Sequence, residues 1–171
     1  MEQSGGEERP ARLLIHDREI PFAGEGEYGA VVRPGSPIHP CTGCFGCWVR
    51  TPGQCVIWDA YGDMGACIAQ CDELVLVSRC CYGGPSPFVK NVLDRSIGYI
   101  HPCFVIKGGE MHPRQRYPKT LILRSLFYGD GLTRGERQTA ESWVCSLADN
   151  LYCEVRQVAF GESAAELEGL L

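Results

Sequence analysis

The stretch Glu73-Leu74-Val75-Leu76-Val77-Ser78-Arg79-Cys80-Cys81-Tyr82-Gly83-Gly84-Pro85-Ser86-Pro87 changes periodicity partway along. Its apolar run from Leu74 to Val77 has the pattern of a central parallel strand, which is covered on both faces and so has no solvent side to alternate toward. Gly83, Gly84 and Pro85 end that run. Ser86 then offers an N-cap and Pro87 takes the first helical position, where a missing N–H costs nothing. Phe88, Val89, Val92, Leu93 and Ile97 follow at helical spacing.

Toward the N-terminus, Leu13-Leu14-Ile15 predicts a first buried strand and Ala30-Val31-Val32 a short second one. No helical stripe lies between Asp17 and Tyr28, so the first crossover is expected to be abbreviated. Ile38 to Trp58 reads as a cysteine-rich loop, and Tyr61 to Gln70 as a helix with Asp59 available as its cap. Toward the C-terminus, residues Gly98 to Pro118 read as irregular. Thr120-Leu121-Ile122-Leu123 then forms a buried strand closing on Tyr128-Gly129-Asp130-Gly131. Thr133 opens a helix to about Asn150, Glu154 to Val158 is a last strand, and Ala164 to Leu171 a short terminal helix. Residues 1–10 read as a disordered tail and 11–171 as one α/β domain. Its predicted core is a doubly wound, five-stranded parallel sheet in the order 2-1-3-4-5, with ligands beyond the strands' carboxyl ends.

A chain of 171 residues, 44% hydrophobic and 22% charged, fits one globular domain. A formal charge of −5 gives no field to gather a polyanion, and no apolar stretch approaches a membrane span, so nucleic acid and membrane are excluded as expected partners. Polar, acidic residues 1–10 are unlike a signal peptide, and the expected compartment is the cytoplasm. Eleven cysteines are too many for an ordinary reduced domain, and an odd number cannot all pair.

Spacing sorts them. Cys41-Thr42-Gly43-Cys44-Phe45-Gly46-Cys47 is followed after seven residues by Cys55. Thiolates at two-residue intervals, with glycines that let the backbone turn tightly, suit a cubane cluster closed by a more distant fourth ligand. Zinc would take the same sulfurs but usually as two separated pairs, and thiols merely packed in a tight loop remain the structural alternative. Near the strand-to-helix turn, Tyr82 offers a flat apolar face and Gly83 and Gly84 allow close backbone approach, unless the turn is simply a packed one.

Pro40-Cys41-Thr42-Gly43-Cys44-Phe45-Gly46-Cys47-Trp48 with Thr51-Pro52-Gly53-Gln54-Cys55-Val56-Ile57 resembles the signature of flavodoxin-like NADPH-dependent FMN reductases and iron-sulfur flavoproteins. The resemblance implies a flavodoxin-like fold and a 4Fe-4S cluster on Cys41, Cys44, Cys47 and Cys55. It also implies an FMN ring among Ser78, Arg79, Cys80, Cys81, Tyr82, Gly83 and Gly84, with Tyr128, Gly129 and Asp130 as a second flavin-edge loop. Cys80 and Cys81 stand where that family usually has Pro-Val.

The implied activity is an NAD(P)H-dependent FMN oxidoreductase, a flavin reductase or electron-transfer protein with a nicotinamide dinucleotide and a further electron acceptor as partners. Glu110 to Tyr117 is then a lid or a subunit contact, and a homo-oligomer is expected. One element of the family is missing: after Leu13-Leu14-Ile15 comes His16-Asp17-Arg18-Glu19-Ile20-Pro21, not an amide-rich phosphate loop. Losing two charge-assisted hydrogen bonds costs about 2 to 4 kcal/mol, so FMN is expected to be weakly held and exchangeable. The alternative is a non-catalytic flavodoxin-like module acting as a cluster-binding or interaction subunit.

Overall fold

The computed structural model describes residues 11–19, 21, 22 and 24–171. The tail expected over residues 1–10 lies outside the described residues. The chain order is β1 (Arg12–His16), β2 (Ala30–Val32), α1 (Gly46–Val49), α2 (Met64–Gln70), β3 (Glu73–Arg79), α3 (Pro87–Arg95), β4 (Ile100–Lys107), β5 (Glu110–Gln115), β6 (Leu121–Tyr128), α4 (Arg134–Leu151) and β7 (Cys153–Gly161). No helix among the described residues is long and apolar enough to cross a membrane.

Five strands form an all-parallel sheet in the order β2-β1-β3-β6-β7, with Leu14 opposite Val75 and Val75 opposite Arg124. The order predicted from the sequence is 2-1-3-4-5; the numbering differs because two strands intervene in the chain without joining this sheet. β4 and β5 pair with each other as an antiparallel ribbon, in a segment expected to be irregular. The overlooked signal is Gly108-Gly109, whose φ values of 60° and 87° are those of the two-residue turn that matches strand twist.

Because side chains alternate along a strand, Leu13, Ile15, Leu74, Leu76, Leu121 and Leu123 point to one face, and Leu14, Val75, Val77 and Leu126 to the other. Met64 and Ile68 of α2, Val89 and Val92 of α3, and Ala140 and Val144 of α4 all pack on the first face. Phe22, Tyr28, Ala164 and Leu167 cover the second. The doubly wound expectation is therefore corrected: among the described residues, α-helices cover one face only. The span between β1 and β2 has no apolar stripe and holds a 3-10 turn at Glu25–Glu27, and the C-terminal segment winds as a 3-10 helix over Ala165–Leu170. Polar ties substitute for helices there. Arg12 donates to Glu73 at 2.7 Å, to the Tyr28 hydroxyl at 3.0 Å and to the Leu171 carbonyl at 2.9 Å.

The helix starts follow their capping chemistry. Ser86 caps α3 with Pro87 at its first turn, and Thr133 and Glu136 form a reciprocal capping box on α4. The cap expected at Asp59 is corrected: α2 begins at Met64 after Asp63, because Asp59 is held elsewhere by Arg95.

His16 closes β1 fully buried. Its Nδ1 accepts from the Arg18 N–H at 3.2 Å and its Nε2–H donates to Glu25 at 2.9 Å. Burial pulls its pKa below the ordinary 6.5, against the opposing pull of Glu25. A depressed pKa in the fold stabilises the folded state fully above the unfolded value, and that stability is lost as pH falls through the lowered one. Urea unfolding is therefore expected to show lower stability at about pH 5.5 than at about pH 7.5. His16→Asn should flatten the difference.

Candidate functional site

The order β2-β1-β3 makes β1 and β3 the point where successive connections diverge, and a crevice opens beyond their carboxyl ends. The crevice holds about 740 Å³, a volume ordinary for a small-molecule site. Seven of the residues expected to contact cofactor line it: Arg79, Cys80, Cys81, Tyr82, Tyr128, Gly129 and Asp130. Ser78, Gly83 and Gly84 lie beside it without lining it. Asp17, Phe88, Leu132 and Glu136 line it and were missed, although Asp17 directly follows the first apolar run and Phe88 follows the helix-starting proline.

Ser78 and the two glycines have supporting roles instead. The Ser78 hydroxyl accepts from the Ser86 N–H at 2.8 Å, tying the end of β3 to the start of α3. Cys81 and Gly84 exchange backbone hydrogen bonds of 2.8 and 2.9 Å around a tight turn with φ of 53° at Tyr82 and 83° at Gly83. A Cβ at position 83 would lie 2.5 Å from Thr139 Cβ on α4, so glycine is required there by sterics as well as by backbone. Tyr82 is the unusual member. A left-handed conformation costs a side chain about 1 kcal/mol, and this one leaves the ring 94% exposed on the crevice rim. Backbone strain spent on exposing an aromatic is the kind of outlier that marks a binding surface.

The crevice is acidic at its base. Asp17 accepts from the Arg79 backbone N–H and from the Tyr128 hydroxyl, both at 2.8 Å, and lies 3.5 Å from the Ser78 hydroxyl. Burial and then Asp17 push the Tyr128 pKa above its usual range, so the phenol stays a donor. Burial likewise raises the Cys80 thiol, which leaves it a poor nucleophile. Arg18 turns away, donating to Glu168 at 3.2 Å with its guanidinium 4.5 Å from the centre of the Phe22 ring.

Cys41, Cys44, Cys47 and Cys55 together line a second, smaller cavity of about 40 Å³, walled by Asp94 and Arg95 of α3. Hydrogen bonds from the Gly46 N–H and from Thr42 lower the exposed Cys44 thiol's pKa, while burial and then Cys55 and Cys41 raise that of Cys47. The four share a wall without meeting at a point: among the described residues, no three metal-ligating side chains are close enough to hold a single ion. The expected convergence on one metal centre is corrected to that extent. The other seven cysteines lie outside this cavity, and burial pushes Cys71 and Cys153 up to about 12.

Arg95 organises this loop. It is 2% exposed, and its guanidinium donates to Cys55 Sγ at 3.1 Å, the His39 carbonyl at 2.9 Å, the Ile57 carbonyl at 3.0 Å, and both Asp59 oxygens at 2.7 and 2.9 Å. Every guanidinium proton is used. Asp59 is held well below the usual carboxylate range, chiefly by Arg95. Since Pro87 and Phe88 line the first crevice and Arg95 the thiol cavity, α3 joins the two over about 12 Å. The ribbon β4–β5 is elsewhere. His112 contacts Asn150 and the Pro113 carbonyl accepts from Tyr152, at the far end of α4 from the crevice, so the lid expected over Glu110 to Tyr117 is corrected.

Removing one partner of a buried ion pair costs about 3 to 5 kcal/mol, because the other charge stays buried. Arg95→Met is expected to lose stability in that range in urea unfolding, with Asp59→Asn less severe and the double variant less than additive.

No family model and no curated protein matches the chain. Solved structures do. The Trp repressor binding protein from Bacillus subtilis is 13% identical, with 90% of this chain and 86% of that one covered at a TM-score of 0.51. The azoreductase AzrA is 9% identical over 94% and 92% at 0.51, and an azoreductase from Bacillus anthracis str. Sterne 11% identical over 93% and 90% at 0.51. Likeness at such identity defines the fold: a flavodoxin-like α/β domain with a parallel five-stranded sheet.

Proposed function

We propose that the chain is a flavin-dependent oxidoreductase whose isoalloxazine ring lies in the crevice against Tyr82. The observation that carries this reading is the strained turn that exposes Tyr82 at the switch point of a flavodoxin-like sheet. The fit divides in two. Tyr82, Phe88, Tyr128 and Leu132 supply apolar and aromatic wall for a ring, whereas Asp17 stands where a phosphate would seek donors. When bound, a flavin would accept hydride from a reduced nicotinamide and pass electrons to a further acceptor. The chain's own residues hold and shield it: the Cys81–Gly84 turn sets the rim, the start of α3 presents its positive dipole end, and Tyr128, whose hydroxyl donates to Asp17, forms the base. FMN is exchangeable under this reading. Fluorescence titration should give micromolar or weaker binding, and Tyr82→Ala, which removes about 1 kcal/mol of aromatic contact, should weaken it about fivefold. No binding at about 1 mM would leave the alternative, a non-catalytic module, in its place.

The thiol cavity completes the proposal. The spacing of Cys41, Cys44, Cys47 and Cys55 and the one cavity they line support a 4Fe-4S cluster as the group this loop would hold. When bound, such a cluster would relay electrons one at a time. Cys41, Cys44, Cys47 and Cys55, the last oriented by Arg95, would hold it. Iron and sulfide analysis of anaerobically prepared protein is expected to find about four iron atoms per chain, reduced severalfold in Cys44→Ser. Iron absent from both would make the loop structural. The exposed face of the ribbon, where Phe104, Ile106 and Met111 stand together, is the surface proposed to pair with a second copy of the chain.

A further inference from the structure

Resting on the reading of the crevice as a flavin site, we infer that Asp17 is a specificity residue, which makes the crevice select a flavin without a terminal phosphate over FMN. In an open parallel sheet the anionic part of a ligand meets backbone donors beyond the strand ends at the switch point, commonly with a helix N-terminus behind them. Here that position holds a side chain. The Asp17 carboxylate accepts from the Arg79 N–H and the Tyr128 hydroxyl at 2.8 Å each, while the nearby Ser78 hydroxyl donates to the Arg79 carbonyl at 3.0 Å. The donors a phosphate would use are thus engaged by an anion the chain supplies itself.

Among the described residues, the offsetting groups at the crevice are Arg79 and the start of α3. Beyond Asp17 the described connection to β2 contains only the short turn Glu25–Glu27. Of the charged groups on the crevice wall, Asp130 and Glu136 add to Asp17, and Arg79 alone opposes them. Arg18 is committed to Glu168 and Phe22. A phosphate would have to displace a hydrogen-bonded carboxylate while facing two more. A neutral polyhydroxyl chain has the opposite relation to the same site. Its hydroxyls can donate to the lone pairs of Asp17 that Arg79 and Tyr128 leave free. Discrimination then comes from a built-in repulsion as much as from attraction.

The test compares riboflavin and FMN by fluorescence titration of the wild-type chain, Asp17→Asn and Asp17→Ser, at fixed ionic strength. The wild type should prefer riboflavin on the order of tenfold, a figure set by one partly screened like-charge contact. Asp17→Asn keeps the shape without the charge and should reduce the preference severalfold. Asp17→Ser vacates the site and frees the Arg79 N–H and the Tyr128 hydroxyl, so FMN should become the tighter ligand and inorganic phosphate should compete with it there but not in the wild type. The wild-type comparison needs no variant to fold. FMN binding the wild type as tightly as riboflavin, or tighter, would overturn the inference and leave the flavin reading intact. Neither flavin binding at about 1 mM would overturn the flavin reading itself, and this inference with it.

Discussion

The buried pair between Arg95 and Asp59 organises the part of the chain that has least reason to be ordered. Residues 33–63 contain one turn of α-helix and no strand, so their backbone lacks the repeating hydrogen bonds that elsewhere offset conformational entropy. One guanidinium supplies a substitute, binding two carbonyls, a thiol and a carboxylate from four points of the loop. Asp59 in turn accepts from the His39 and Tyr61 N–H groups. Trp48 adds a second anchor through its indole N–H, shared between the Ile97 and Ile100 carbonyls at 3.1 Å each. Polar contacts thereby bring the cysteines to one cavity.

The sheet shows the opposite economy. β3 and β6 are buried by their neighbours and need only apolar residues to be read correctly, which is why Leu74 to Val77 declares a central strand at once. Helical stripes at 88–93 and 140–151 were equally legible, since each carries its cap at the expected position. The ribbon β4–β5 was not, because it belongs to no core. Its residues are mostly exposed or half-buried, including an exposed Phe104 and Ile106, and so it lacks the alternation that burial imposes. Turn chemistry at Gly108-Gly109 was the one cue available.

The site was legible in the same uneven way. Residues adjacent in sequence to the β3–α3 turn could be grouped because one turn holds them. Asp17 and Glu136, 119 positions apart, meet only because parallel strands deliver their carboxyl ends to one edge. The roles of Gly83 and Arg95 were hidden for a related reason: each is defined by a contact with a distant element, Thr139 in one case and Asp59 in the other. Local pattern shows where a turn is, and tertiary contact shows what the turn is braced against.

Helix α3 is also a ruler. Phe88, Val92 and Arg95 recur at intervals of four and three, so the residue on the crevice wall and the residue that gathers the cysteine loop stand on one face of the same rod. Each residue added to or removed from a helix turns everything beyond it by about 100°. A single insertion between Phe88 and Arg95 would leave the crevice untouched and swing the guanidinium away from all of its partners. The length of this helix, in whole residues, is therefore as strictly constrained as the identity of the groups at its ends.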